Sequence, residues 1–357
     1  MKKSLTTLAL LATASMLPLA VQTASAATSS PQPMFVVLPE HGTGKHFAHT
    51  PTALQTWTGT FTYNKVKHTY TMVGTSPFTT NTTTTITVDV IPVKMVYGSQ
   101  NGNMTFDPMV DQQNGVSIIQ NLLNSPLLNS LDWKWGATDV GSTQYIDAWQ
   151  RGAFWGEVKT NTAYHVVLAP TTLSEVSHTV QPGNGSVMNN PFGSGVVGTE
   201  NIGVFDTAIQ GWIAGFSQVN PSTFPLFVTD NIYLTSGGCC IGGYHSAEAN
   251  GQTYGYSTYV TSPGAFSEDI SALSHEVGEW YDDPATHNRG YCGGLLEVGD
   301  PLEGKANYGT FPVTFGGVTW HPQALVFISY FGAPKKKSAN SWLDNQHIET
   351  SVCQNGQ

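Results

Sequence analysis

Ser267-Glu268-Asp269-Ile270-Ser271-Ala272-Leu273-Ser274-His275-Glu276-Val277-Gly278-Glu279-Trp280-Tyr281-Asp282-Asp283-Pro284 is the stretch on which the reading of this chain turns. Ile270, Leu273, Val277 and Trp280 recur at helical spacing and predict an amphipathic helix. Ser267-Glu268-Asp269 is its expected N-terminus, with acids in the first turn where the helix dipole favours them. Residues four apart share a helix face, so His275 and Glu279 can present ligand atoms to one point. Glu276 lies one residue round, in the place of a general base. The pattern is His-Glu-x-x-Glu: an acid stands where the zinc-protease pattern His-Glu-x-x-His has its second histidine.

Two ligands from one helix need a third from elsewhere. Leu296-Glu297-Val298-Gly299-Asp300 follows at a suitable distance, with Glu297 as the expected third ligand and Asp300 as a supporting acid. Asp282 or Asp283 could replace Glu297. The position ten residues after His275 is Ala285, which cannot ligate. Two histidines and a carboxylate leave a zinc site positively charged, whereas one histidine and two carboxylates bring it to formal neutrality and weaken the acidity of bound water. Zinc is the expected ion from the likeness to the zinc-protease pattern, while the added carboxylate also suits calcium or manganese. A hydrolytic site also needs a group to steady a developing oxyanion. His245 is the first candidate, with Tyr244 and His321 as others.

Lys2-Lys3, the apolar run 8–20 and Ala24-Ser25-Ala26 predict a signal peptide over 1–26. The protein is accordingly expected to be secreted, extracellular or periplasmic, and no other segment is apolar enough to span a membrane. Only 11% of the 357 residues are charged, against roughly 25% in an average globular protein. The formal net charge is −10, and Lys335-Lys336-Lys337 is the one basic cluster, which argues against nucleic-acid binding. Export permits disulfides among Cys239, Cys240, Cys292 and Cys353. Because adjacent cysteines rarely pair, Cys292 is expected to join Cys239 or Cys240.

Residues 27–55 read as a poorly ordered lead-in, and 56–357 as one large or two closely packed α+β domains with the metal-site half at about 200–357. Alternating β-branched residues between Trp57 and Tyr97 predict strands. Helices are expected from near Val116 to Asn124, over 143–155 with Asp147 and Arg151 as an i,i+4 pair, and over 206–216. Residues 164–168, 225–234 and 255–260 read as strands. The segment 177–199 reads as a long loop, and Gly237-Gly238-Cys239-Cys240-Ile241-Gly242-Gly243-Tyr244-His245 as a glycine-rich loop without the lysine of a phosphate loop. The expected fold class is α+β and zincin-like: a mixed or antiparallel sheet, an active-site helix and a β-rich N-terminal part.

Thr69-Tyr70-Thr71-Met72-Val73-Gly74, Gln144-Tyr145-Ile146-Asp147-Ala148-Trp149-Gln150-Arg151, Cys239-Cys240-Ile241-Gly242-Gly243-Tyr244-His245 and Ser274–Pro284 together resemble blocks of an uncharacterised group of secreted bacterial proteins. The last two blocks, with Glu297-Val298-Gly299-Asp300, are also similar to the plant phosphate-induced/Exordium proteins of the cell wall. These resemblances imply export and a shared fold; neither carries over a catalytic mechanism.

Two functions are then expected to compete. One is a secreted, zincin-like metallohydrolase, a peptidase acting on peptides or proteins, with His275, Glu279 and Glu297 on the metal, Asp300 in support, Glu276 as base and His245 at the oxyanion. The other is a non-catalytic extracellular or cell-surface protein, binding polysaccharide, in which the same acids hold a structural ion. Trp57, Trp133, Trp135, Trp149 and Trp155 would be its sugar-stacking platforms, unless they pack in the core.

Overall fold

The computed structural model describes residues 30–41 and 53–354. The expected signal peptide 1–26 lies outside the described residues, as do positions 27–29 and 42–52 of the expected lead-in. The described residues from Pro31 onward form one compact unit. Within the lead-in, Met34–Val37 is a strand, paired in parallel with Cys239–Ala247.

The α+β, zincin-like expectation is corrected by the balance of elements: 38% strand against 19% helix. An 11-stranded mixed sheet dominates the molecule. Its strands run in the order His165–Thr172, Thr83–Tyr97, Phe224–Asp230, Thr253–Tyr259, Cys239–Ala247, Ile232–Thr235, Val196–Asn201 and Val187–Asn189, with three more strands paired alongside. The first four are mutually parallel, and Cys239–Ala247 runs antiparallel to both its neighbours in that order. The sequence under-counted strands because two segments rich in glycine and asparagine, 177–199 and 239–245, read as loops. The run 239–245 lies wholly within a strand, and 177–199 contributes to three strands, Val176–Val180, Val187–Asn189 and Val196–Asn201.

Every residue of Phe224–Asp230 and of Thr253–Tyr259 is buried, the pattern of strands covered on both faces. Helix Ser271–Asp282 lies over Thr253–Tyr259 and Cys239–Ala247 on one face. Helix Ile202–Gly215 sits in a second core with Tyr244, Tyr254 and Tyr256. Side chains alternate between faces, so Tyr244 bonds Asp206 at 2.9 Å in that second core while His245 faces the first helix.

The motif helix starts at Ser271, later than the acids suggested. Ser267 and Asp269 have φ of 63° and 41°, outside the helical region, and the Asp269 carboxylate instead accepts from the backbone and Nδ1 of His321 at 3.0 and 2.7 Å. All twelve helix residues are buried, polar face included. The expected Asp147–Arg151 pair is likewise redirected. Asp147 accepts from Thr143, His165 and the Val166 amide, while Arg151 donates to the Val140 and Tyr164 carbonyls. Both are buried, so each satisfies its hydrogen bonds with fixed neighbours rather than across an exposed helix face.

The disulfides also differ from expectation. Cys239 pairs with Cys240, and Cys292 with Cys353. The second pair meets because both half-cystines dock on one segment: the Tyr291 amide donates to the Phe331 carbonyl at 3.3 Å and the Cys353 amide to the Tyr330 carbonyl at 3.0 Å. This bond closes a separation of 61 residues. Non-reducing digestion should yield a Cys292–Cys353 peptide, and Cys353→Ser should lower unfolding free energy by about 2–4 kcal/mol, the scale for removing a long-loop cross-link. Equal denaturant midpoints for the variant and the parent chain would contradict this.

Candidate metal centre

Helix Ser271–Asp282 reaches the sheet at a glycine. A Cβ on Gly243 would lie 2.7 Å from both Cγ and Oε1 of Glu276, so only glycine lets the helix sit this close. His245, two residues along the same strand, then comes under the helix. Its Nδ1 is 3.4 Å from Glu276 Oε2 and 3.8 Å from Glu279 Oε2, and its Nε2 is 3.8 Å from Glu297 Oε2. On the other side of Glu279, His275 Nε2 is 2.9 Å from Oε1 and 3.6 Å from Asp300 Oδ1.

The two histidines are held by their far nitrogens. Gln323 donates from Nε2 to the Gly299 carbonyl at 3.1 Å, which turns its Oε1 toward His275 Nδ1. The Asp283 carbonyl lies 3.2 Å from His245 Nε2. Phe35, from the expected lead-in, stacks on His275 with ring centroids 3.8 Å apart. Glu279 Oε1 accepts from the amides of Gly299 and Asp300 at 3.1 and 3.2 Å.

His245, His275, Glu276, Glu279 and Glu297 are at most 4% exposed. Yet Glu276 Oε1, both oxygens of Glu297, His275 Nε2 and Glu303 Oε1 have no hydrogen-bond partner among the described residues. Buried polar atoms are nearly always paired, and buried charges are costly unless compensated. The electrostatics follow. Burial first, then the charge of Glu279, pushes the carboxyls of Glu276 and Glu297 well above their usual range. Burial would lower His275, but the adjoining Glu279 carboxylate, with Asp300 and Glu303, carries it up to about 9. Burial would raise Glu279, but the positive charge of His275 outweighs it and leaves the acid below its ordinary value. Burial dominates at His245 and lowers it to about 4, so this imidazole is neutral.

The ligand atoms of His275, Glu276 and Glu279 lie within 4.8 Å of one another, and those of His245, Glu279 and Glu297 do likewise. The expected metal residues therefore converge, but Glu297 lies with His245 and Glu279 rather than beside His275. Asp282 is fully buried at the helix end with neither oxygen partnered, and Asp283 is engaged by the amides of His287 and Asn288. Tyr244 points away into the second core, and His321 forms a separate group with Glu268 and Asp269. Gln323, Phe35, Gly299 and Glu303 complete the surroundings of His275. The spacing around the motif could not find them, because their nearness comes from the fold.

A cavity of about 420 Å³ adjoins the centre, with Val37, Leu295, Glu297, Asp300, Tyr330 and Phe331 among its lining. Asp300 is at its edge, with 49% of its side chain exposed. The chain matches no family model, no curated protein and no solved structure.

A Cβ on Gly299 would lie 2.3 Å from His275 Nδ1. At φ −89° the backbone tolerates alanine, so the cost is steric. Gly299→Ala should lower stability by about 1–3 kcal/mol through overpacking. Gly304→Ala, where nothing lies within 4 Å, is the control. Chemical denaturation of the two variants checks this, and equal midpoints would refute it.

Proposed function

We propose that this chain is a secreted metal-dependent hydrolase acting on peptides. The observation that carries the reading is a buried set of histidine nitrogens and unpartnered carboxylate oxygens with a cavity reaching two of its acids. Imidazole nitrogen together with carboxylate oxygen suits zinc better than calcium, which takes oxygen ligands. His275 and Glu279 would hold the ion, with Asp300 completing its ligands.

A bound zinc would supply Lewis acidity and lower the pKa of its water. The residues of the chain do the rest. Gln323 holds the His275 ring by Nδ1, leaving Nε2 directed at Glu279 and Asp300. Glu276, with Oε1 free of other partners, is positioned to take a proton in a general-base role. His245, expected at the oxyanion, has Nε2 against the Asp283 carbonyl and Nδ1 against Glu276 and Glu279, so it stands beside the base rather than free to donate to a substrate. Val37, Leu295, Tyr330 and Phe331 give the cavity an apolar wall suited to a peptide side chain. The two disulfides support the exported, oxidising location.

A second reading, a non-catalytic extracellular protein with a structural ion, is favoured by the complete burial of His245, His275 and Glu276. Its sugar-binding version loses its platform: Trp57, Trp133, Trp135 and Trp149 are buried in the main core and Trp155 packs against it.

Glu276→Gln separates these readings. It keeps the shape of the side chain and removes the base. Metal content and melting temperature should stay near those of the parent chain, while peptide turnover falls by about 10²-fold or more. His275→Ala should lose metal. Full turnover in Glu276→Gln, or metal loss as severe as that of His275→Ala, would defeat the mechanism.

A further inference from the structure

Glu279 serves two histidines rather than one. We infer that the centre binds two divalent cations bridged by the Glu279 carboxylate, one on the His275–Asp300 side and one on the His245–Glu297 side. The inference rests on reading this cluster as a metal centre and is independent of whether the centre hydrolyses anything.

The histidine orientations are the first argument. Gln323 Nε2 donates to the Gly299 carbonyl, so Gln323 Oε1 faces His275 and accepts from Nδ1–H. The ligand atom is then Nε2, and it faces Glu279 Oε1 and Asp300 Oδ1. His245 Nε2 has the Asp283 carbonyl at 3.2 Å and Glu297 Oε2 at 3.8 Å. Its Nδ1 faces Glu276 Oε2 and Glu279 Oε2, so the ring stands between Glu279 and Glu297. Each ring thus gives one nitrogen to a fixed protein oxygen and aims the other at a different oxygen of the same carboxylate. Metal-binding histidines are oriented in this way by their outer partners.

Distances are the second argument. Two metal–ligand bonds of about 2.1 Å, meeting at about 85–130°, place the ligand atoms about 2.8–3.8 Å apart. The separations are 2.9 and 3.6 Å around His275 Nε2, and 3.4 and 3.8 Å around His245 Nδ1. His275 Nε2 is close to Glu279 yet is not aligned with it as donor to acceptor.

Glu297 is the third argument, and it is independent of the histidines. The residue is 4% exposed, and neither carboxylate oxygen has a hydrogen-bond partner among the described residues. It lies within ligand distance of His245 and Glu279. One ion at His275 can take Glu276 but would leave the Glu297 carboxylate uncompensated. A second ion on the His245 side gives Glu297 a cation, and a buried charge persists only when it is so compensated. Paired ions about 3.5–4 Å apart and bridged in this manner clamp both oxygens of a displacement. The cavity touches both halves, since Glu297 and Asp300 each line it.

The test is metal stoichiometry on the purified full chain, stripped with chelator and reloaded with zinc or manganese. Two zinc ions per chain are expected, with exchange-coupled manganese in the electron paramagnetic resonance spectrum. Glu297→Gln, which keeps side-chain shape, should bind one ion and lose the coupling. His275→Asn should also retain one, on the opposite side. Circular dichroism confirms that each variant is folded; if His275→Asn is not, Glu297→Gln decides alone. One zinc ion per parent chain, uncoupled manganese, or two ions retained by Glu297→Gln would each overturn the inference. Two coupled ions without peptide hydrolysis would sustain it and sink the proposed activity. One ion with hydrolysis would do the reverse.

Discussion

The Glu279 carboxylate is the point on which the centre is built. It is buried, it accepts two backbone N–H bonds from Gly299 and Asp300, and it faces His275 with one oxygen and His245 with the other. A buried carboxylate is tolerated only with such partners. Three separate parts of the chain must therefore be in place together: the motif helix, strand Cys239–Ala247 and the segment 296–300. The uncompensated acids beside Glu279 are the residual cost that a cation would remove.

The sheet makes this possible by being covered on both faces. Helix Ile202–Gly215 and its aromatic core close one side, which leaves the other free to carry a helix whose polar residues point inward. Few helices are buried all round while keeping a histidine and two glutamates on one side, since a polar face normally faces water. Here the polar face meets another polar surface, made of His245, Glu297 and Gln323. Gly243 and Gly299 set how closely the two surfaces approach, because a side chain at either would strike Glu276 or His275.

The glycines also explain where reading the sequence fell short. Gly242-Gly243 in a cysteine- and glycine-rich run has the composition of a loop, yet the run is a central strand. Local propensity counts glycine as a breaker; the helix packed over this strand needs its absent side chain. Likewise Glu268 and Asp269 have the composition of a helix start, but Asp269 is drawn off by His321, 52 residues further along the chain. Asp147 and Arg151 have the spacing of a helical ion pair and are instead divided among buried backbone and side-chain partners.

The sequence by itself determined the motif helix, the shared face of His275 and Glu279, and the candidacy of His245, Glu297 and Asp300. Those readings depend on helical periodicity and on the scarcity of charge, both of which are local. Only the tertiary structure decided that Glu297 lies with His245 rather than beside His275, that Gln323 and Phe35 hold the His275 ring, and that Cys292 meets Cys353. It also decided that strands outweigh helices. These outcomes join residues tens to hundreds of positions apart. They are set by which strand borders which and by how closely a helix can approach a sheet, and no spacing along the chain encodes either.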